Sequence, residues 1–103
     1  MEIINIIDIF LLPVEICFNY SAKKIYVADL GYKDIKILDY DTGKYLGCID
    51  VEGNPQGLEI SKDEKLLLVS DTQKNSVKIY DISNNKLLKE VNVGKEPTTI
   101  LCV

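Results

Sequence analysis

Short apolar stretches alternate with polar turns along most of the chain. In the second half these stretches are four to seven residues long, the usual length of a β-strand. β-Branched and aromatic residues dominate most of them, and the segments between them are rich in Asp, Asn, Ser and Gly, which suit tight turns. The pattern therefore predicts four antiparallel strands, over residues 57–60, 66–69, 77–80 and 87–93.

The arrangement of apolar residues within two stretches predicts how those strands are buried. Residues 66–69 are apolar without alternation, so both faces of that strand are expected to be buried. Residues 48–51 alternate, with Ile49 and Val51 on one side and Cys48 and Asp50 on the other. This alternation indicates an outer strand with one face in water.

The whole pattern recurs with a period of 42 residues. Pro13, Pro55 and Pro97 are spaced by this interval. A shift of 42 without gaps makes ten of the 42 positions in residues 13–54 identical to those in 55–96. Four strands in a repeat of about 40 residues are typical of β-propeller blades. Identical pairs include Lys23 with Lys65, Val27 with Val69, Asp29 with Asp71, Lys36 with Lys78, and Asp39 with Asp81.

The repeat predicts an all-β fold of tandem four-stranded antiparallel β-meander blades, arranged as an incomplete propeller ring. Residues 13–54 form blade 1 and residues 55–96 form blade 2 in this prediction. We expect residues 1–12 to supply the outer strand of a preceding blade and residues 97–103 the inner strand of a next blade. An amphipathic helix would also suit residues 3–12, but the alignment of residues 7–9 with 49–51 and 91–93 favours a strand.

The second repeat resembles the Tyr-Val-Thr-Asn (YVTN) β-propeller repeat family. That family's repeat opens with Pro-x-Gly and an apolar strand ending in Ser-Pro-Asp-Gly, and it closes with Val-Gly-x-x-Pro. Here residues 55–64 read PQGLEISKDE, residues 68–71 read LVSD, residues 77–81 read VKIYD and residues 93–97 read VGKEP. The family's turn proline and glycine are replaced by Lys62 and Glu64. Its asparagine is replaced by Asp71, and Glu15 stands where blade 1 would carry the glycine. The resemblance implies a propeller fold and assigns no activity.

The amino-acid composition limits the partners and the catalytic chemistry that we expect of this chain. The net charge is −4, all twelve basic residues are lysines, and there is no histidine or tryptophan. An acidic chain repels phosphate backbones and anionic membranes, so we expect neither nucleic acid nor membrane as a partner. Without histidine the usual neutral-pH base and the commonest metal ligand are missing, and sugar lactonases with similar propellers rely on histidine or arginine. No catalytic, cofactor-binding or metal-binding residues are assigned, and no cofactor is expected.

The three cysteines match no zinc or disulfide pattern. Cys17, Cys48 and Cys102 are far apart in sequence and odd in number. They are interpreted as small apolar residues in a reducing compartment. Together with an N-terminus that lacks the basic start of an export signal, this predicts a cytoplasmic protein.

One triplet matches a catalytic sequence. Asp41-Thr42-Gly43 is the active-site triplet of aspartic proteases, which in their small form dimerise to bring two aspartates together. The equivalent residues 83–85 of the second repeat read Ser-Asn-Asn, an ordinary turn, so a hairpin turn explains both repeats. The recurring Asp29, Asp71, Asp39 and Asp81 are expected to bond turn amides. Glu15 or Glu59, facing a central channel, could instead contact a ligand.

The number and order of the predicted strands limit how copies of this chain could assemble into a ring. A propeller closes with about four to eight blades. A chain that starts on an outer strand and ends on an inner strand cannot close a ring by sharing a blade between copies. A truncated or partial propeller is therefore expected, with self-association through exposed blade edges.

These observations predict a non-enzymatic β-propeller scaffold or binding module. Two alternatives stay open. One is a fragment of a propeller enzyme whose catalytic blades are missing, and the other is a dimeric aspartic protease that uses Asp41.

Overall fold

The computed structural model describes residues 9–93, which form eight β-strands and no helix within that range. Each strand is six or seven residues long. The strands are β1 (Pro13–Asn19), β2 (Lys24–Asp29), β3 (Asp34–Asp39), β4 (Tyr45–Asp50), β5 (Pro55–Ile60), β6 (Leu66–Asp71), β7 (Ser76–Asp81) and β8 (Lys86–Asn92).

The strands form two separate four-stranded antiparallel meanders. β1 to β4 make the first sheet, blade 1, and β5 to β8 make the second, blade 2, each in sequential order. The predicted all-β fold of tandem blades in an open arrangement is therefore confirmed.

The 42-residue repeat is also present in the hydrogen bonds. Pro13 and Pro55 both begin the first strand of a blade and lie opposite Asp29 and Asp71 respectively, and each is followed by a shift in register. Proline is tolerated at the first residue of a strand because it has no N–H to contribute to the ladder. Backbone hydrogen bonds outside the strand ladders also recur 42 residues later. The amide of Leu30 donates to the carbonyl of Leu12, as the amide of Thr72 donates to that of Asn54. The amide of Val51 likewise donates to the carbonyl of Lys33, as the amide of Val93 donates to that of Asn75.

The core lies between the two blades. We call the side of a blade that faces the preceding repeat its leading face, and the opposite side its trailing face. Blade 1 contributes its trailing face and blade 2 its leading face, so one apolar layer joins the sheets. Its buried members are Tyr26, Ala28, Ile35, Ile37, Ile49 and Val51 from residues 13–54, and Leu58, Leu67, Val69, Tyr80 and Ile82 from blade 2.

The burial predicted for β4 is confirmed. Ile49 and Val51 are buried, whereas Cys48 and Asp50 are exposed. The alternation arises because one side of this outer strand packs on blade 2 and the other meets solvent.

The prediction that both faces of residues 66–69 are buried is wrong. Leu67 and Val69 are fully buried against blade 1, but Leu66 and Leu68 are only partly buried. They lie on the trailing face of blade 2, against which the described chain packs no further blade. At the equivalent positions 24–27 of blade 1, Ile25, Tyr26 and Val27 are buried and Lys24 is partly buried.

Two sequence predictions fall wholly or mostly outside the described residues. The inner strand predicted for residues 97–103 lies outside them, as do residues 1–8 of the outer strand predicted for 1–12. Residues 9–12 run through a turn and irregular backbone into β1, and Ile9 and Phe10 pack on Ile25, Val27 and Leu38 of the leading face of blade 1. Between residues 9 and 93 there is no helix that could cross a membrane.

Candidate functional site

The linker between the blades is held by a buried ion pair. Asp71, at the end of β6, lies with one carboxylate oxygen 3.2 Å from the ammonium nitrogen of Lys78 on β7. Its other oxygen accepts a hydrogen bond from the amide of Asn54, and Lys78 donates to the carbonyl of Val51. A methyl group at Gly53 would overlap the Asp71 carboxylate, so glycine lets the linker approach this closely. The pair therefore clamps residues 51–54, which join blade 1 to blade 2.

Blade 1 repeats the clamp on the segment that enters it. The carboxylate of Asp29 accepts hydrogen bonds from the amides of Leu11 and Leu12, both at 2.9 Å. Lys36 lies 3.3 Å from Asp29 and also pairs with Asp34 at 2.8 Å. The ring of Tyr32 lies 4.4 Å from the Lys36 ammonium. Residues 9–12 therefore meet blade 1 as residues 51–54 meet blade 2.

Both clamp carboxylates are stabilised in their ionised form. Burial opposes the charge, but hydrogen bonds from linker and turn amides and from the neighbouring lysine outweigh it. The pKa of Asp29 and the pKa of Asp71 are consequently below the usual 3.8. The same contacts raise the pKa of Lys36 despite the opposing effect of burial, chiefly through its bonds to Asp34 and Asp29. These groups stay charged at neutral pH.

The other recurring aspartates bond turn amides, as the sequence predicts. Asp39 accepts hydrogen bonds from both the amide and the hydroxyl of Thr42, at 2.8 Å each. Asp81 accepts from the amide and hydroxyl of Ser83, at 2.8 and 2.6 Å. Asp29 and Asp71 also bond the amides of the β2–β3 and β6–β7 turns. Recurrence in both repeats thus marks a role in the fold.

The Asp41-Thr42-Gly43 triplet lies in the hairpin turn between β3 and β4. Gly43 has a φ of 75° and donates its amide to the carbonyl of Asp39, closing the turn. Asn85 holds the equivalent place in blade 2, with a φ of 61° and a bond to Asp81. The Asp41 carboxylate is exposed and lies 3.4 Å from the ammonium of Lys23. The geometry is that of the turn shared by both blades.

The two carboxylates considered for a ligand differ in burial. Glu15 on β1 is exposed, and its carboxylate accepts a hydrogen bond from the amide of Ile16. Glu59 on β5 is half-buried and shares the trailing face of blade 2 with Leu68. Across residues 9–93 no three acidic or cysteine side chains cluster closely enough to hold a metal ion.

The two described cysteines differ in environment, and the sequence interpretation fits only one of them. Cys17 is partly buried beside the core, and burial, followed by the charges of Glu59 and Glu15, raises the pKa of its thiol to about 12. That thiol is therefore unreactive at neutral pH. Cys48 is exposed on β4, so it is not a core residue. Cys102 lies outside the described residues.

A concave groove lies between the blades. It lies where the β1–β2 turn of blade 1 meets the β5–β6 and β7–β8 turns of blade 2, and its volume is about 500 Å3. Lys65 and Asp81 give it charges of both signs, and Leu66 and Ile82 give it apolar surface. The groove therefore offers a ligand both hydrogen-bonding groups and apolar contacts. Its lining is Asn19, Ser21, Ala22, Glu64, Lys65, Leu66, Asp81, Ile82 and Ser83.

Reasoning from the sequence did not assign a role to the clamp lysines. Lys36 and Lys78 are among the ten identical repeat positions, each seven residues after the aspartate that it pairs with. A lysine kept in both repeats inside an otherwise apolar strand was the available signal, because a buried lysine requires a partner. The groove has no such signal, since residues far apart in sequence form it.

Comparison with solved structures identifies the architecture. The chain superposes on the hydrazine synthase of Kuenenia stuttgartiensis with a TM-score of 0.78 and 23% identity, over 84% of this chain and 24% of that one. The chain has a β-propeller-type fold. No family model matches it, the YVTN repeat included.

Two curated proteins share sequence with this propeller-type chain. NHL repeat-containing protein 3 of Homo sapiens is 41% identical over 54 residues, which is 48% of this chain and 15% of the relative. Antigen Lp49 of Leptospira interrogans is 24% identical over 96 residues, which is 86% of this chain and 21% of the relative. The chain thus spans about a fifth or less of the length of these relatives.

Proposed function

We propose that this chain is a non-enzymatic propeller module, built from repeats of the YVTN or NHL kind, that binds a ligand in the groove between its blades. The observation that carries the proposal is how its aspartates are used. Asp29, Asp39, Asp63, Asp71 and Asp81 accept hydrogen bonds from the protein's own amides, hydroxyls or lysines, and each pKa is lowered.

A lowered pKa is the wrong direction for proton-transfer catalysis near neutral pH. A general acid or base works best when its pKa lies close to the working pH, which for a carboxyl group requires a rise. Carboxylates that hold turns stay ionised and fixed, and they serve as hydrogen-bond acceptors. Recognition without chemical change is the function that this arrangement supports.

The groove is the part of the molecule suited to recognition. It is formed by turns, which in folded domains vary more readily than the strands that position them. Asp81 is an ionised acceptor at its edge, because its bonds to Ser83 lower its pKa. Lys65 offers a cation on the same wall. We infer that the ligand is small and polar, or is a peptide loop that carries both donors and acceptors.

The binding site is tested by mapping amide shifts in two-dimensional NMR spectra against a library of polar metabolites and short peptides. Shifts should concentrate on residues 19–22, 64–66 and 81–83. Ala22→Arg should abolish them by filling the groove. Gln73→Arg, which adds the same charge to a turn at the opposite end of the sheets, should leave them unchanged. Binding that maps elsewhere, or that survives Ala22→Arg, contradicts the proposal.

The absence of catalysis is tested separately with a library of peptide substrates. We expect no cleavage by the wild-type protein and no difference from Asp41→Asn. Cleavage that Asp41→Asn abolishes would establish the aspartic protease alternative.

A further inference from the structure

Equivalent faces of the two blades differ in how far their side chains are exposed to solvent. On the leading face of blade 2, Leu58 and Ile82 are each 8% exposed because they pack on blade 1. The residues 42 positions earlier, on the leading face of blade 1, are Ile16 at 50% and Tyr40 at 38%. Ile16 and Tyr40 are thus less covered than their equivalents, although Ile25, Val27 and Leu38 on the same face of blade 1 are buried, with Ile9 and Phe10 packed against them.

The trailing faces show the opposite asymmetry. On blade 1, Tyr26 and Ile35 are inaccessible to solvent, and Val51 in the following linker is 1% exposed. Their equivalents in blade 2 are Leu68 and Val77, both partly buried, and Val93, which is 48% exposed. The apolar residues of the open trailing face of blade 2 are Leu66, Leu68, Val77, Ile79 and Val91, and Glu59 and Lys89 lie on the same face opposite Leu68 and Ile79.

The exposed part of the leading face of blade 1 and the open trailing face of blade 2 correspond to the two halves of an interface that the molecule already makes once. Blade 1 covers the leading face of blade 2 with its trailing face, and the repeat supplies both halves again at the two ends of the described chain. The clamp at the leading end is also complete. Leu11 and Leu12 bond Asp29 as Asn54 bonds Asp71, so the entering segment already lies where a linker between stacked blades lies.

The exposed aromatic cluster on blade 1 belongs to the same surface. The rings of Phe18, Tyr20 and Tyr40 lie within 6.0 Å of one another, in stacked and edge-on contacts. The positions equivalent to Phe18 and Tyr40 in blade 2 are Ile60 and Ile82, which pack in the core between the blades. Aromatic side chains supply large contact areas at interfaces, so the cluster extends the apolar surface available for stacking.

We propose that a second copy of this chain places the exposed part of the leading face of its blade 1, around Ile16, Phe18 and Tyr40, on the trailing face of blade 2, in the same order as blade 1 and blade 2 pack within one chain. The interface is heterologous, since each copy contributes a different face. Whole blades stack and none is shared between copies, so the strand count within the chain does not prevent it.

The occupant is a second copy because this chain carries both complementary faces. An apolar sheet face left open in water favours association, and the matching face is present on every other copy at the same concentration. The inference concerns these outer faces and does not depend on the ligand proposed for the groove.

The test is a complementation experiment with the full chain. Ile16→Lys blocks the leading face of blade 1, and Val93→Lys blocks the trailing side of blade 2. Both residues are about half exposed, so neither substitution should impair folding, which circular dichroism checks. Leu88→Lys is the matched control, because Leu88 is 57% exposed on β8 and is skipped by the pairing with β7.

Light scattering from micromolar to millimolar concentration should show assemblies of two or more chains for the wild type and for Leu88→Lys. Each blocked variant alone should be monomeric. An equal mixture of the two should form a complex of two chains and no larger, since it retains one open pair of faces. A monomeric wild type overturns the proposal, and so does a mixture that stays monomeric. Dissociation by Leu88→Lys alone would also overturn it and would indicate pairing through the outer strand edge.

Discussion

The ammonium nitrogen of Lys78 lies 3.2 Å from the carboxylate of Asp71, with the two side chains only 3% and 0% exposed. The pair is placed under the linker that joins the blades, and it contacts the linker backbone at Val51 and Asn54. The ion pair of blade 2 therefore fixes the linker, and through the linker it couples blade 2 to blade 1.

Removal of the Asp71 charge should destabilise the protein strongly. Asp71→Asn leaves Lys78 buried without its counter-ion, a change that typically costs about 3–5 kcal/mol. Urea unfolding monitored by circular dichroism measures the loss. Asp81→Asn is the matched control, because Asp81 also accepts turn hydrogen bonds but does so at the surface. An equal loss in both variants would contradict the clamp.

Acid should weaken the fold through the same carboxylates. The pKa of Asp29 and of Asp71 is lower in the folded protein than the usual 3.8, so the unfolded chain binds protons first as the pH falls. Their contribution to stability is complete above the unfolded pKa and is lost as the pH falls through the folded pKa. The free energy of unfolding should therefore decline below about pH 5. Asp29→Asn and Asp71→Asn combined should flatten that decline, and an unchanged slope would refute the assignment.

Gly53→Ala should disturb the clamp without touching its charges. The added methyl would overlap the carboxylate of buried Asp71, so the linker or the ion pair must shift. A loss of about 1–3 kcal/mol in unfolding free energy is expected, as for other overpacked sites. Gly31→Ala is the comparison, since the atoms it meets belong to Leu11, an exposed side chain that can move. Equal costs for the two substitutions would argue against a tight approach at Gly53.

Lys33→Asn should stabilise blade 1. Lys33 has a φ of 59°, and Asn75 holds the equivalent position in blade 2 with a φ of 53°. Asparagine tolerates this left-handed backbone better than lysine, so a gain of up to about 1 kcal/mol is expected. The reciprocal Asn75→Lys should cost a similar amount, and thermal unfolding compares the two. Changes of the same sign in both variants would contradict the argument.

The strands and their phase could be predicted from the sequence because they depend on local pattern. Turn residues such as Asp39 and Asp81 recur with the apolar stretches, and a carboxylate near a turn amide finds its partner within three residues. The ion pairs of Lys36 and Lys78 were not predicted, although their spacing recurs, because an identical residue in two repeats does not reveal what it contacts.

The sequence by itself determined the all-β class, the 42-residue repeat and the four strands of each blade. Tertiary structure alone decided which apolar faces are covered, and residues 66–69 show the difference. Their continuous apolar pattern encodes a strand with two buried faces, but burial requires a partner sheet on each side. Blade 1 covers Leu67 and Val69, while Leu66 and Leu68 face the open side of blade 2. Apolar patterning specifies that a surface is suited to burial, whereas the packing of whole blades determines whether it is buried.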